Sequence, residues 1–262
     1  MEENNKKGPG IFYAVVGVAT LVVAIIGATF AYFSASATAG ENPISGQTNQ
    51  DLASALTVTV NKLEWSNKGG ATSNDLVPAS FGDSTAPKDL STAEVQGALN
   101  AKCVNSGYTG CHLWKIQANT TQTVDNASIL LSLTTTAAVK TNWRYAVFTA
   151  DGGKVGAETD PTLTNVAFPT VNNTMEHDTR NAQGSLATDL VELDIHNNSK
   201  MTAGTADSAP SNTYYLLIYL ANTNNSQNGV GEGATSENGT YTGTVTMNAL
   251  GGKVKASFTA AG

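Results

Sequence analysis

The sequence predicts an all-β protein: an antiparallel β-sandwich or jelly roll with one short helix, preceded by an N-terminal hydrophobic helix. Two observations predict the sandwich. About eight or nine segments alternate apolar and polar residues at the period of a strand, and short runs of Gly, Asn, Ser and Asp separate them. A third observation, one long apolar run near the N-terminus, predicts the preceding helix.

The apolar run covers residues 11–33, which are 23 positions without a charge or an amide side chain. As a helix it would be roughly 35 Å long, enough for a hydrocarbon core of about 30 Å. Lys6 and Lys7 precede it, which favours a cytoplasmic N-terminus and export of everything downstream. We therefore expect an extracellular or cell-surface protein that sits in the membrane through this segment before any cleavage.

The end of the run indicates a cleavable signal peptide, with an uncleaved anchor as the alternative. Ala35-Ser36-Ala37 offers an A-x-A-like cleavage site, and Thr29-Phe30-Ala31 is an earlier one. We expect cleavage at one of the two. The predicted organisation is a signal or membrane segment over residues 1–37, an extended arm over 38–55 and the sandwich over 56–262.

The first strand and the helix follow the arm. Residues 56–65, "LTVTVNKLEW", alternate from Leu56, and the apolar set moves to Leu63 and Trp65 after a bulge or face switch. A loop rich in Gly and Pro leads to "LSTAEVQGALNAK", where Ser91 and Glu94 form a capping box. This predicts one short helix that covers an end of the sandwich.

The remaining strands come from six segments, over residues 112–120, 127–136, 142–157, 189–197, 212–222 and 239–260. Most alternate, as do Ile129, Leu131 and Leu133 in the second. The fifth, "NTYYLLIYLAN", is nearly all apolar, which indicates a central strand covered on both faces. Hairpin turns are predicted at residues 151–153 and around Gly251-Gly252. The short connections favour antiparallel pairing.

The two cysteines, Cys103 and Cys111, lie in "CVNSGYTGC". In an exported chain a pair this close indicates a disulfide across a tight loop. The alternative is half of a metal site completed by His112, but the spacing is not that of a zinc finger. We expect the structural disulfide.

No motif predicts catalysis, a metal site or a cofactor. His112, His177 and His196 do not lie in H-E-x-x-H spacing, and His177 with Glu176 and Asp178 is interpreted as a solvated loop. No G-x-S-x-G is present, and the glycine-rich residues 228–239 lead toward a strand instead of a helix, so they predict a hairpin loop. The chain carries 14 Lys and Arg against 21 Asp and Glu, with no basic cluster, which argues against nucleic acid as a partner.

The junction at the end of the apolar run resembles that of a known family. Gly27, Thr29, Phe30, Ala31, Tyr32 and Phe33 are similar to the G-T-[FWY]-A-[YF]-[FW] junction of the TasA and camelysin family of exported proteins of Gram-positive bacteria. The L-x-P-G-D segment that relatives often carry after the first strand has only "LVPASFGD" in its place. The later segments "WKIQANTTQTVDNASILLSLTTT" and "GTYTGTVTMNALGGKVKASF" are also similar in pattern to TasA-like sandwich domains.

The resemblance implies a jelly-roll subunit of an extracellular matrix fibre. The subunit's mature N-terminal arm, which contains Phe33, Ser34, Ile44 and Gln50, would add as a strand to the sheet of a neighbouring copy. The partner is then the chain itself, in a head-to-tail filament. Camelysins have been classed as metallopeptidases, which the histidines here do not support.

We therefore expect a non-enzymatic structural protein. One alternative is a type IV pilin-like subunit that retains its helix, suggested by Gly10 before Ile11, although Val15 stands where a Glu is usual. A second alternative is an anchored surface adhesin or binding module, and an exported hydrolase has the least support.

Overall fold

The computed structural model describes residues 36–38, 55–66, 75–81, 89–137, 140–152, 160–171, 182–186, 190–204, 212–223, 227 and 239–261. The predicted N-terminal hydrophobic helix lies outside them. The boundaries proposed for the signal segment, the arm and the sandwich stay predictions.

Two six-stranded sheets form the fold, and the all-β prediction is confirmed. The first sheet contains β1 (Ser36–Thr38), β6 (Val124–Thr135), β10 (Val191–Asp194), β11 (Ser199–Met201), β13 (Thr240–Ala249) and β14 (Gly252–Ala261). Its order is β1-β14-β13-β6-β10, and β11 pairs with the start of β6. All of its pairings are antiparallel except that of β1 with β14.

The second sheet is antiparallel throughout its named strands. It contains β2 (Leu56–Leu63), β5 (Cys111–Thr120), β7 (Trp143–Asp151), β8 (Thr164–Ala167), β9 (Gln183–Ser185) and β12 (Thr213–Leu220). Its order is β2-β5-β12-β7-β8, and β9 also pairs with β7. Strand β12 lies between β5 and β7 and is buried on both faces, as its apolar sequence predicts.

The main hydrophobic core lies between the two sheets, which pack face to face. The alternating residues of the first sheet, such as Ile129, Leu131 and Leu133, meet those of the second. Trp114 of β5 reaches across the interface, with its ring 4.5 Å from that of Phe258 on β14 and 6.5 Å from that of Tyr241 on β13. This aromatic contact holds the β13–β14 hairpin against the second sheet.

A second core lies on the outer face of the second sheet, under the helix α1 (Thr92–Asn100). Val95, Ala98 and Leu99 are the buried face of α1, and the predicted capping box of Ser91 and Glu94 is present, with both of its hydrogen bonds. The helix therefore covers one sheet face instead of an end of the sandwich.

Strand β2 contributes to both cores without a bulge. Its pairing with β5 runs unbroken from Leu56 to Leu63. Leu56 packs between the sheets, whereas Leu63 and Trp65 pack in the second core. Both faces of this sheet bury apolar residues, so Leu63 and Trp65 are buried on the face opposite to Leu56. The change of face therefore needs no bulge.

The closing hairpin turns one residue earlier than predicted. Ala249 pairs with Gly252, so Leu250 and Gly251 form the two-residue turn, with φ values of 54° and 74°. Two positive φ values are those of a type I′ turn, whose twist matches the flanking strands. Gly252 therefore begins β14.

The outer face of the first sheet is lined with hydroxyl side chains. Thr134 and Thr242 lie 2.7 Å apart between their hydroxyl oxygens, and Thr244 and Ser257 lie 3.3 Å apart. These pairs join β6 to β13 and β13 to β14. The alternation that buries one face of each strand thus leaves a polar face toward solvent.

A disulfide joins Cys103 to Cys111, as predicted, and closes a small hairpin of β3 (Val104–Asn105) and β4 (Tyr108–Thr109). Both cysteines are buried in the second core beside α1. The hairpin thereby joins the end of α1 to the start of β5.

Replacing both cysteines by alanine is expected to lower the free energy of unfolding by about 2–3 kcal/mol, because an unfolded chain without the bridge gains loop entropy. Urea denaturation of the oxidised protein and the variant measures this difference. A thiol reductant that breaks the bridge should destabilise the wild type and leave the variant unchanged. Equal effects of the reductant on both proteins would contradict the expectation.

Gly243 is expected to tolerate no side chain, because a Cβ there would enter the ring of Phe258, its partner across the hairpin. Gly243→Ala should cost about 1–3 kcal/mol of unfolding free energy, as overpacking does. Gly97→Ala is the matched control, since nothing lies within 4 Å of a Cβ at that helical position. It should raise stability by up to about 1 kcal/mol. Equal effects of the two substitutions in urea denaturation would refute the packing argument.

Candidate functional site

The candidate functional site is strand β14. One side of β14 pairs with β13, and within the part of the chain that the structure describes the other side pairs only with the short strand β1. The pairing is parallel and aligns Ser36 with Lys253, Ala37 with Val254 and Thr38 with Lys255. Three residues of a segment far upstream in sequence thus lengthen the sheet by one short strand. Among the described residues, no strand pairs with this side of β14 beyond Lys255.

Strand β14 has the properties of a strand that accepts a partner. It is ten residues long and contains no proline, and its inward residues Val254, Ala256 and Phe258 are apolar and buried. Natural edge strands are commonly protected by short length, proline or inward charges. Here only Lys253 and Lys255 are charged, and both alternate with the buried residues and are exposed.

The strand beside β14, which is β13, is held in place by a polar contact deep in the core. Trp114 donates its indole N–H to the Tyr241 hydroxyl at 2.7 Å, and Nδ1 of His112 lies 2.8 Å from the same hydroxyl. Burial raises the pKa of Tyr241, so the phenol keeps its proton. This cluster ties β13, the neighbour of β14, to β5 of the opposite sheet.

A second polar cluster, around Asp194, is also structural. At the turn after β10 the Asp194 carboxylate accepts hydrogen bonds from the backbone N–H groups of Ile129, His196 and Asn198, at 2.8–3.1 Å. Nδ1 of His196 lies 2.7 Å from the Tyr214 hydroxyl. Its Nε2 is buried without a hydrogen-bond partner among the described residues. Desolvation lowers the pKa of His196, against the opposing effect of the Asp194 charge.

Most of the predicted cleavage and arm residues lie outside the described residues. These are Thr29, Phe30, Ala31, Tyr32, Phe33, Ser34, Ala35, Ile44 and Gln50. Ala37 is described and lies in the middle of β1. His177, with Glu176 and Asp178, is also outside. The sequence predicted an arm able to add to a sheet edge, but it did not indicate which edge, since strand order cannot be read from alternation.

Acidification is expected to destabilise the protein through His196. Its pKa is lowered in the folded state, so the unfolded chain binds the proton more readily, and stability falls as pH drops below the unfolded value of about 6.5. The loss cannot exceed about 1.4 kcal/mol per pH unit for one group. Urea denaturation from pH 7.5 to 5 should show a shallower slope for His196→Gln. An unchanged slope would mean that other groups cause the loss.

Within the described residues, no group of three or more His, Cys, Asp and Glu side chains could hold a metal ion. No helix in the same residues is long and apolar enough to cross a membrane. Comparison of the sequence with protein-family models and with curated proteins found no match to either.

Proposed function

We propose that this protein is an exported structural subunit, a jelly-roll domain that assembles into an extracellular fibre when its N-terminal arm adds to β14 of a neighbouring copy. The observation that carries the proposal is the parallel pairing of Ser36–Thr38 with β14. Main-chain hydrogen bonds supply the affinity in such strand addition, and side chains at alternate positions supply the register.

The sequence around β1 has the alternation that this edge requires. Ala37 is aligned with Val254, and if the same register continued by one residue at each end, Ala35 would align with Gly252 and Ala39 with Ala256. Ala35, Ala37 and Ala39 are then three small apolar residues in phase, beside buried residues of β14. The residues between them are Ser34, Ser36 and Thr38, whose hydroxyls match the outer face of the first sheet.

The same hydrogen bonds form whether the arm belongs to the subunit itself or to a neighbour. Exchange of an identical element between copies therefore costs little contact energy, and concentration and linker length decide the outcome. Seventeen residues, 39–55, join Thr38 to the start of β2. When each subunit donates its arm to the next subunit, its own β14 is left to accept the arm of the previous one. This head-to-tail contact does not close on itself, which is what a filament needs.

The proposal also selects between the two cleavage sites. Cleavage after Ala37 would remove two of the three residues of β1, whereas cleavage after Ala31 would keep all of them. We therefore propose that the signal segment is removed at Thr29-Phe30-Ala31, so that the mature chain begins close to Tyr32.

A disulfide between two different chains tests the arm. Ser36→Cys on one chain and Lys253→Cys on another should cross-link when the two mature proteins are mixed and allowed to assemble under mild oxidation, because the aligned residues of neighbouring strands are within bridging distance. Mass spectrometry of the digested fibres detects the linked peptides. Ser36→Cys mixed with Leu190→Cys, an exposed residue beside β10 at the opposite edge of the sheet, is the matched control.

Two outcomes would contradict the proposal. One is a cross-link confined to single chains of a Ser36→Cys/Lys253→Cys double variant, with none between mixed chains. The other is a mature N-terminus at Ile11, found by N-terminal sequencing, which would favour the pilin-like alternative.

A further inference from the structure

The hairpin closed by the Cys103–Cys111 disulfide, residues 103–111, presents an aromatic side chain to solvent on a rigid support. Tyr108 is 59% exposed, the largest exposure of any large apolar side chain among the described residues. We call this element the Tyr108 hairpin. Rigidly held tyrosines are effective contact residues because they bury much area at little cost in conformational entropy.

Several contacts besides the disulfide fix the hairpin. Asn105 donates its side-chain N–H to the Pro78 carbonyl at 2.8 Å, and the Val77 N–H donates to the Thr109 carbonyl at 2.9 Å. The turn is tight, with φ values of 51° at Ser106 and 85° at Gly107. The base of the hairpin is thus anchored to a neighbouring segment while its tip projects outward.

The hairpin marks one end of the sandwich, the end at which β14 finishes. The residue after Cys111 is His112, which contacts Tyr241 near the start of β13, and Tyr241 is paired with Ala260 near the end of β14. The opposite end, which we call the turn end, contains the Leu250–Gly251 turn, the β5–β6 connection at residues 121–123 and the turn at residues 195–198.

The parallel pairing of the arm gives the fibre its polarity. Because β1 runs in the direction of β14, the chain after Thr38 proceeds toward the hairpin end of the subunit that accepts it. The donor's own body begins at Leu56, which pairs with Thr120 at the donor's turn end. The hairpin end of one subunit and the turn end of the next therefore face each other.

The length of the connection keeps these two ends close. If the observed register continues to Ala261, six of the residues 39–55 complete the edge, and the other eleven span at most about 40 Å. The turn end offers Leu250, a partly buried apolar residue, amid exposed polar residues such as Gln122 and Asp125. A tyrosine suits such a surface because its ring is apolar and its hydroxyl forms hydrogen bonds.

We propose that the Tyr108 hairpin is a contact surface for a second copy of this chain and docks on the turn end of the subunit that donates its arm. The inference rests on the proposed function and adds to it the second contact between neighbouring subunits. It also gives the disulfide a role in assembly, since the bridge holds Tyr108 in its projecting position.

Photo-cross-linking of the mature, oxidised protein tests the contact directly. With benzoylphenylalanine in place of Tyr108, illumination of assembled fibres should link position 108 to residues 121–126, 195–200 or 250–251 of another chain. Unassembled protein should give no such link. In fibres that contain the Ser36–Lys253 cross-link, two results would overturn the inference and leave the proposed function intact. One is a link from position 108 to other parts of the neighbour, and the other is no link from position 108 at all. If the Ser36–Lys253 cross-link is itself absent, the proposed function and this inference both fail.

A set of substitutions measures the contribution of the side chain. Tyr108→Ser is expected to raise the critical concentration for assembly by about tenfold, as loss of an aromatic contact residue does, and Tyr108→Phe by less. Leu190→Ser, which removes the other large exposed apolar side chain of the described residues, is the control and should have no effect. The melting temperature should not change in any of them, because both side chains are exposed. An unchanged critical concentration for Tyr108→Ser would overturn the inference.

Discussion

The unpaired backbone of a sheet edge is the constraint on which the rest of this structure depends. Every second residue of β14 directs both its N–H and its C=O away from β13, and these groups must bond to water or to another strand. Among the described strands, none joins the first sheet to the second by hydrogen bonds into a barrel, so this edge persists there. The structure places Ser36–Thr38 on it. The proposed arm exchange and the polarity of the fibre both follow from that placement.

An edge strand can accept a partner only if its other contacts keep it in place. Phe258 packs on Trp114 of the opposite sheet and occupies the space that the missing side chain of Gly243 leaves. Tyr241 binds the same Trp114 through its hydroxyl. One tryptophan thus supports both strands of the closing hairpin. Trp114, Gly243 and Tyr241 together hold the two strands of this hairpin in place.

The sequence predicted β6, β10, β13 and β14 of the first sheet well because their apolar residues alternate with polar ones, whereas the short strand β11 was not predicted. It also predicted α1 and the disulfide, which depend on local signals of a few residues. The second sheet was harder. Lys115 and Gln117 of β5 lie on the outer face of this sheet, and both are buried because α1 and the neighbouring segments cover that face. The buried His112 faces the other way, toward Tyr241 between the sheets. Alternation alone gives no sign that such polar residues are inside.

The candidate site depends on information that local patterns do not contain. The arm's alternating Ala and Ser residues suited any edge, and four strand edges of two sheets were available in principle. Which strand stands at the edge is decided by long-range pairing, such as that of β13 with both β6 and β14. The Tyr108 hairpin was missed for another reason. Its cysteines indicated a bridge, but exposure of the intervening tyrosine depends on how Pro78 and Val77 pack against the base.

The hydroxyl pairs on the outer face of the first sheet have a consequence for the behaviour of the molecule in a crowded extracellular space. Because Thr134 bonds to Thr242 and Thr244 to Ser257, the hydroxyl donors on this face are partly used by one another. Such a face is well hydrated and its only charges on β14 are the exposed Lys253 and Lys255, so a second sheet gains little by stacking on it. Subunits would then bind one another along the fibre axis, while these outer sheet faces of neighbouring fibres would have little tendency to associate.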